Sequence, residues 1–170
     1  MATEKTVIGR EVAVNFRGEA KNVPAKVDTG ADSSAVWATD IFVDEENVLH
    51  FKLFGKSSKY YTGKEHTTKD FDVVVTKSSH GDKIIKYQVK LSIEMAGRKI
   101  RSTFSLSNRS THNYPILIGR KTLNRKFLVD VSKTKHLVDV KKNTPNGFND
   151  DMRDNPYKFY KEKYLNGVKK

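Results

Sequence analysis

The sequence contains no cysteine, and several other features that define common protein classes are absent from it. None of its 170 residues can form a disulfide or a thiolate nucleophile. No apolar run approaches the length of about 18 residues that a membrane helix needs. No apolar segment follows the first basic residues, so we expect no secretory signal. These absences together lead us to expect a cytoplasmic protein without membrane contact.

Sequence motifs for metals and nucleotides are also missing. The histidines are spread singly along the chain, at His50, His66, His80, His112 and His136. None of them belongs to a His-Glu-x-x-His motif, and a zinc site usually needs three or four His, Cys, Asp or Glu ligands. There is no Gly-x-x-x-x-Gly-Lys-Ser/Thr loop for ATP. We predict neither a metal nor a nucleotide cofactor, although zinc ligands distant in sequence can converge in a fold.

Apolar residues are scarce and basic residues are abundant. Hydrophobic residues make up 36% of the chain and charged residues 31%, so either the core is small or part of the chain lies outside it. The net charge of +12 would attract anionic partners such as nucleic acid or acidic peptides. The lysines are scattered through almost every segment, however, which favours a soluble lysine-rich surface over a nucleic-acid site.

Alternating apolar and polar residues predict a mostly-β fold for residues 1–140. The clearest strand pattern lies in residues 84–94, and residues 48–54 form a half-buried strand. Further strands are predicted at 6–16, 20–27, 33–38, 60–62, 71–76, 100–106, 114–118 and 127–131, with an edge strand at 136–140. By alternation we assign to the core Val27, Ala35, Phe51, Val74, Tyr87, Val89, Leu91, Phe104, Ile116, Ile118, Phe127 and Val129.

The composition changes at Lys141, which separates the predicted domain 1–140 from a tail at 141–170. The tail begins as a polar linker rich in Asn, Asp, Pro, Gly and Lys. Asn155 as N-cap and Pro156 at the first helical position then predict a short helix. This helix would carry an aromatic stripe of Tyr157, Tyr160 and Tyr164, which favours docking on its own domain or on a partner. Disorder is the alternative.

One carboxylate lies in a tight loop between two predicted strands. Asp28-Thr29-Gly30 follows strand 20–27, and the apolar residues 35–38 lead away from it. Gly30 permits a sharp turn or a close backbone approach, and the Thr29 hydroxyl can bond across an interface. On these three residues alone, an ordinary β-turn with an ordinary Asp is the favoured interpretation.

Taken with a second stretch, this loop resembles the retropepsin-like aspartic proteases. Residues 115–123 form an apolar strand that runs into Gly119-Arg120 and a short helical turn. Several motifs in order are similar to the family named as ATP-dependent zinc proteases, which is associated with RimK-type ligases. They are Ile8-Gly9-Arg10-Glu11, residues 25–31, Ser33-Ser34-Ala35, Ser78-Ser79-x-Gly81, residues 115–120 and Phe127-Leu128-Val129-Asp130. The resemblance covers about residues 6–133.

This resemblance implies a closed retropepsin-like β-barrel with one short helix after Gly119, and Asp28 as the catalytic residue. The residues expected to support the site are Thr29, Gly30, Ala31, Gly119 and Arg120. A guanidinium at Arg120 would need a carboxylate, so we expect it in a buried ion pair or a dimer contact. The hairpin 71–94 would be the flap that covers substrate, with Ser78, Ser79 and Gly81 at its tip.

A single Asp-Thr-Gly per chain implies a homodimer. Two carboxylates held close share one proton, so one can act as general base on a water while the other polarises the scissile carbonyl. This chain supplies only Asp28, and a complete site therefore requires a C2 dimer that takes a peptide or protein substrate. The alternative is a non-catalytic or latent peptide-binding module of the same fold, which handles the acidic tails made by RimK-type ligases.

Overall fold

Strands dominate the fold, and six of them close into a barrel. The computed structural model describes residues 4–77, 83–138 and 154–165. Its strands are β1 (Thr6–Ile8), β2 (Glu11–Phe16), β3 (Ala20–Val27), β4 (Ser34–Val43), β5 (Leu49–Leu53), β6 (Glu65–Thr68), β7 (Phe71–Lys77), β8 (Lys83–Met95), β9 (Arg98–Ser107), β10 (Ile116–Ile118) and β11 (Phe127–Val129). Hydrogen-bonded neighbours run β10-β3-β2-β8-β9-β4, and β4 pairs again with β10. The ring is closed, as predicted.

Six further elements of the first unit lie outside this ring. Strands β5 and β6 continue the sheet beyond β4, and β7 pairs with β8 outside the ring. A separate parallel pair is formed by β1 and β11, in which Val7 lies opposite Leu128. One short helix, α1 (Arg120–Leu123), follows Gly119, which confirms the predicted position.

The barrel interior is filled by apolar residues that alternate with more exposed residues along the strands. Six predicted core residues are buried, namely Phe51, Val89, Phe104, Ile116, Ile118 and Phe127. Val27, Tyr87, Leu91 and Val129 are half-buried and pack against this core. Ala35 and Val74 are also half-buried. Val74 falls outside the core because β7 pairs only with β8 in the described sheet and projects beyond the ring.

The return strand after β5 lies later in the chain than predicted. Residues 60–62, expected as a strand, lie in a loop, and the observed strand β6 spans residues for which no strand was predicted. Tyr60 and Tyr61 pack against the core from this loop, so their bulk serves burial rather than a strand ladder. In β6 His66 stacks on Phe51 with ring centroids 5.1 Å apart. Residues 136–138 form no strand either, and 139–140 lie outside the described residues.

Hydrogen bonds connect the segment after β11 to the start of β2. The Arg10 amide donates to the Lys133 carbonyl at 3.0 Å, and the Glu11 carboxylate accepts from the Leu137 amide at 2.8 Å. Burial raises the pKa of Glu11, but hydrogen bonds, chiefly that from Leu137, outweigh it and lower the pKa. The Arg10 carbonyl in turn accepts from the Val27 amide at 2.9 Å. Val27 is the residue directly before Asp28.

The chain divides into two units after Val138. In the second unit, helix α2 (Pro156–Tyr160) continues as a π-helical turn over Lys161–Leu165. Asn155 caps α2 by accepting from the Lys158 amide at 3.0 Å, as predicted. The linker 141–153, the side chain of Tyr164 and the domain boundary at 140 lie outside the described residues. No helix among those described is long and apolar enough to cross a membrane.

The barrel core generates a stability prediction at Phe104, which is fully buried between β8 and β4. Phe104→Ala should lower the free energy of unfolding by about 3–5 kcal/mol, because burial is lost and a cavity remains. Phe42→Ala is the control, since Phe42 is 49% exposed and stacks only on His50 among the ring pairs described. Denaturant melts measure both losses, and equal losses would contradict the assigned core.

Candidate active site

Asp28 is held by backbone on both sides of its loop. Strand β3 pairs in parallel with β10, and the Asp28 amide donates to the Ile118 carbonyl at 2.9 Å. The Asp28 Oδ1 accepts from the Gly30 amide at 2.9 Å and from the Ala31 amide at 3.1 Å. Asp28 is half-buried, whereas Thr29 and Gly30 are exposed. The carboxylate is therefore oriented by its own loop and faces an accessible surface.

The junction between β10 and α1 lies directly behind this loop. A Cβ atom at Gly119 would lie 2.5 Å from the Ser33 carbonyl oxygen and 2.9 Å from that of Ala31. The Arg120 amide donates to the Ala31 carbonyl at 2.8 Å. Only glycine permits this approach, because any side chain at 119 would push the two backbones apart. The predicted neighbours Asp28, Ala31, Gly119 and Arg120 are thus brought together.

Arg120 forms the expected ion pair, but on the surface of this chain. Its guanidinium donates to the Asp32 carboxylate, and the two side chains are 60% and 67% exposed. The expectation of a buried pair within the chain is therefore wrong. The hydrogen bond from Arg120, followed by its charge, lowers the pKa of Asp32. Asp32 is also anchored through its carbonyl, which accepts from the Lys121 amide at 3.1 Å.

A chain of hydroxyls, which sequence reasoning missed, connects α1 to the barrel. Ser34 Oγ accepts from the Gly119 amide at 3.1 Å and lies 2.6 Å from Thr122 Oγ1. Thr122 Oγ1 also lies 2.6 Å from Ser102 Oγ. Ser34 belonged to a recognised motif, but Thr122 and Ser102 are common residues in polar surroundings and carry no sequence signal.

A groove of about 600 Å³ adjoins the Asp28 loop at Thr29. Its apolar lining comes from α1 and β11, namely Leu123, Phe127, Leu128 and Val129. Its charged lining residues are all cations, namely Lys5, Arg120, Lys121 and Arg125. A groove lined by both apolar and cationic residues would suit an anionic chain or an apolar partner segment.

The predicted flap corresponds to the hairpin of β7 and β8. Its strands pair as far as Lys77 and Lys83, and the predicted tip residues Ser78, Ser79 and Gly81 lie outside the described residues. Below the tip, Val73, Val75 and Ile85 are more than half exposed. Val75 is the direct partner of Ile85 in the ladder, so the hairpin presents an apolar face.

The potential metal-binding side chains of the described ranges are not gathered into a zinc site. No group of three or more His, Cys, Asp or Glu in the described ranges could hold a metal ion. His50 is bound to Asp44 at 2.8 Å, and His66 to Glu19 at 2.8 Å. His80 is not among the described residues.

Comparison with known proteins gives a family and a fold. Residues 7–139 match the model of the family described as "RimB-like: Retropepsin-like aspartic endopeptidase RimB". Two proteins named "Probable alpha-L-glutamate ligase", from Shewanella pealeana and Shewanella halifaxensis, are each 31% identical over 140 residues. Each alignment covers 79% of this chain but 30% of the relative's length. The family match confirms the retropepsin-like resemblance drawn from the motifs.

A solved structure supports the fold. The crystal structure of a Legionella pneumophila protein of unknown function has a TM-score of 0.56 to this chain at 20% identity. The similarity covers 79% of this chain and 99% of the other. At this level of identity the likeness concerns the fold alone.

The Asp32–Arg120 pair generates a prediction about pH. Because the folded pKa of Asp32 is lowered, the pair stabilises the fold above the ordinary Asp pKa of about 3.9, and this contribution is lost as pH falls through the lower folded value. Arg120→Gln should return the Asp32 pKa toward its ordinary value in a carboxyl NMR titration. Asp40, whose pKa Lys52 lowers, is the internal control and should not move. An Asp32 pKa unaffected by Arg120→Gln would contradict the pairing.

Proposed function

Because the chain belongs to the RimB-like family of retropepsin-like aspartic endopeptidases, we propose that it hydrolyses peptide bonds with two Asp28 carboxylates paired across a homodimer axis. The observation that carries this proposal is the geometry of Asp28. Its Oδ1 accepts two backbone amides of its own loop, and the loop is backed by Gly119. A carboxylate held this rigidly can meet a second copy in a reproducible geometry.

The chemistry follows from the sharing of one proton between two acids. Two carboxylates in contact cannot both ionise cheaply, so the pair holds a proton that belongs to neither residue alone. The ionised Asp28 would take a proton from a water that attacks the scissile carbonyl. The protonated Asp28 of the second copy would donate to the carbonyl oxygen as the tetrahedral intermediate forms.

The surface beside Asp28 has features of an association face. Val7 and Leu128 are opposite each other in the β1–β11 pair and are 47% and 52% exposed. In the described sheets β11 pairs only with β1, so its other edge can accept a further strand. Leu128 and Thr29 line the same groove. A C2 axis here would bring β11 next to its copy and the two Asp28 loops together.

The positive groove favours a second candidate function, a binding module for acidic peptides. Its charged lining residues are all cations, and the matched relatives are named as glutamate ligases, which suits a partner rich in glutamate. Such a module and a peptidase with an acidic substrate would both bind oligoglutamate, and both would lose affinity as salt rises. Cleavage, and its dependence on Asp28, separates the two functions.

The first functional prediction concerns Asp28→Asn. Asparagine is close in shape but cannot share the proton, so cleavage of an acidic test peptide should fall by a factor of at least about 10³. Liquid chromatography of the products and thermal melting measure activity and folding on the same samples. Cleavage should also be inhibited by a statine-type mimic and not by a metal chelator.

Asp32→Asn is the matched control, because it removes a carboxylate from the same loop at an exposed position. It should retain most of the kcat. If the Asp28→Asn variant still cleaves the peptide, and a metal chelator abolishes that cleavage, the aspartic mechanism is rejected. A wild type that binds oligoglutamate without cleaving it would favour the binding module.

The second functional prediction concerns assembly. Below the dimer dissociation constant, activity should rise with the square of protein concentration, because each site needs two chains. Leu128→Lys should weaken association by adding charge to the proposed face, whereas Phe42→Lys, at a similarly exposed residue of β4 opposite His50 of β5, should not. Analytical ultracentrifugation and dilution assays measure both effects. A strictly monomeric chain that cleaves peptide would refute the shared site.

A further inference from the structure

We infer that Thr122 is a positioning residue for the Asp28 loop, acting through Ser34 and the Gly119 amide. The inference rests on the proposed peptidase function. Thr122 lies on α1, and nothing in its sequence context marks it out. Its side chain is nonetheless fully buried, as is that of Ser34. The two are the buried polar residues of the described chain.

The three hydroxyls form a continuous hydrogen-bonded chain. Thr122 Oγ1 lies between Ser34 Oγ and Ser102 Oγ, at 2.6 Å from each. These distances are at the short end of the range for O–H···O bonds. Ser34 belongs to β4, Thr122 to α1 and Ser102 to β9. One threonine therefore connects the helix to two barrel strands.

The two ends of the hydroxyl series indicate which hydroxyl donates in each of its hydrogen bonds. Ser34 Oγ already accepts from the Gly119 amide, and Ser34 is fully buried, so we assign its own proton to Thr122, the hydroxyl within hydrogen-bond distance. Thr122 then donates to Ser102, which is half-buried and can pass its proton to solvent. In the opposite direction the proton of Ser34 would be buried without an acceptor, which is costly. Thr122 is thus the acceptor that fixes the Ser34 hydroxyl.

The fixed hydroxyl of Ser34 is connected to Asp28 by backbone. It receives the Gly119 amide, and Gly119 lies against the carbonyl groups of Ser33 and Ala31. The residue before Gly119, Ile118, accepts the Asp28 amide. A shift of Gly119 would therefore displace the Ile118 carbonyl, which accepts the Asp28 amide. It would also change the backbone contact behind the loop. Small displacements of a catalytic carboxylate have large effects on rate, because the reacting atoms must be aligned.

Thr122→Val tests this role, because valine keeps the shape and removes both hydrogen bonds. Ser34 then loses its acceptor, and the 28–34 loop should open more often. We expect kcat for peptide cleavage to fall by about tenfold to a hundredfold, with KM within about twofold. Hydrogen exchange of the amides in 28–34 should be faster. Thr122→Ser keeps the hydroxyl and should restore both values.

Thr39→Val is the matched control. Thr39 Oγ1 donates to the Phe54 carbonyl at 2.7 Å, so the variant also deletes a half-buried threonine hydrogen bond on β4. It should lower the melting temperature, by less than Thr122→Val because one bond is lost and not two, without a change in kcat or in exchange at 28–34. If Thr122→Val does not fold, Ser102→Ala removes the last acceptor at a half-buried position and should give a smaller fall in kcat.

The exchange measurement separates this inference from the proposed function. If the wild type cleaves no peptide, the peptidase proposal fails, and faster exchange at 28–34 in Thr122→Val still supports the positioning role. Wild-type exchange at 28–34 together with wild-type kcat in Thr122→Val would overturn the inference. So would an equal loss of kcat in Thr39→Val, since the effect would then follow stability alone.

Discussion

The structure depends on the close backbone contact between the Asp28 loop and the junction of β10 with α1. Without a side chain at Gly119, this junction approaches the carbonyl groups of the loop to within contact distance. The Asp28, Arg120 and Lys121 amides then find acceptors across the contact. A loop held by successive backbone bonds has few conformations left, so its carboxylate keeps one orientation. The barrel fixes the two sides of this contact relative to each other, because β10 lies between β3 and β4 and closes the ring.

Under the mechanism proposed above, one chain supplies only half of the active site. Asp28 and Thr29 lie at a surface, beside a groove and a two-stranded sheet with exposed apolar residues on one face. An exposed apolar face next to an open strand edge is costly for an isolated chain and favours association. Within the described part of the chain, no hydrogen bond joins Asp28 to a second carboxylate, and Asp32 is paired with Arg120. The architecture therefore matches a site that a second copy would complete.

Charge is distributed differently in sequence and in space. The net charge of +12 arises from lysine and arginine residues scattered along the chain. Folding brings Lys5, near the N-terminus, beside Lys121 and Arg125 along one groove. A local positive field of this kind can concentrate an acidic peptide near Asp28, which a uniformly basic surface would not do. This local field supports the acidic peptide partner proposed above.

The sequence by itself determined a mostly-β fold through alternation, and the resemblance of its motifs to retropepsin-like proteases implied the closed barrel and the candidate carboxylate. Alternation predicted β5 and β8, and the Asp-Thr-Gly and Gly-Arg motifs located the loop and α1. These features could be read because a strand's period and a glycine's lack of Cβ are local properties. The return strand β6 was misplaced, since Tyr60 and Tyr61 pack from a loop rather than a ladder.

Only the tertiary structure decided which polar residues matter around the loop. Thr122 and Ser102 are 20 residues apart, and Thr122 and Ser34 are 88 apart, so no spacing in the sequence relates them. The exposure of the Arg120–Asp32 pair and the basic groove likewise depend on how distant segments meet. Hydrogen-bond partners and burial are properties of packed surfaces, whereas motifs report only local backbone geometry.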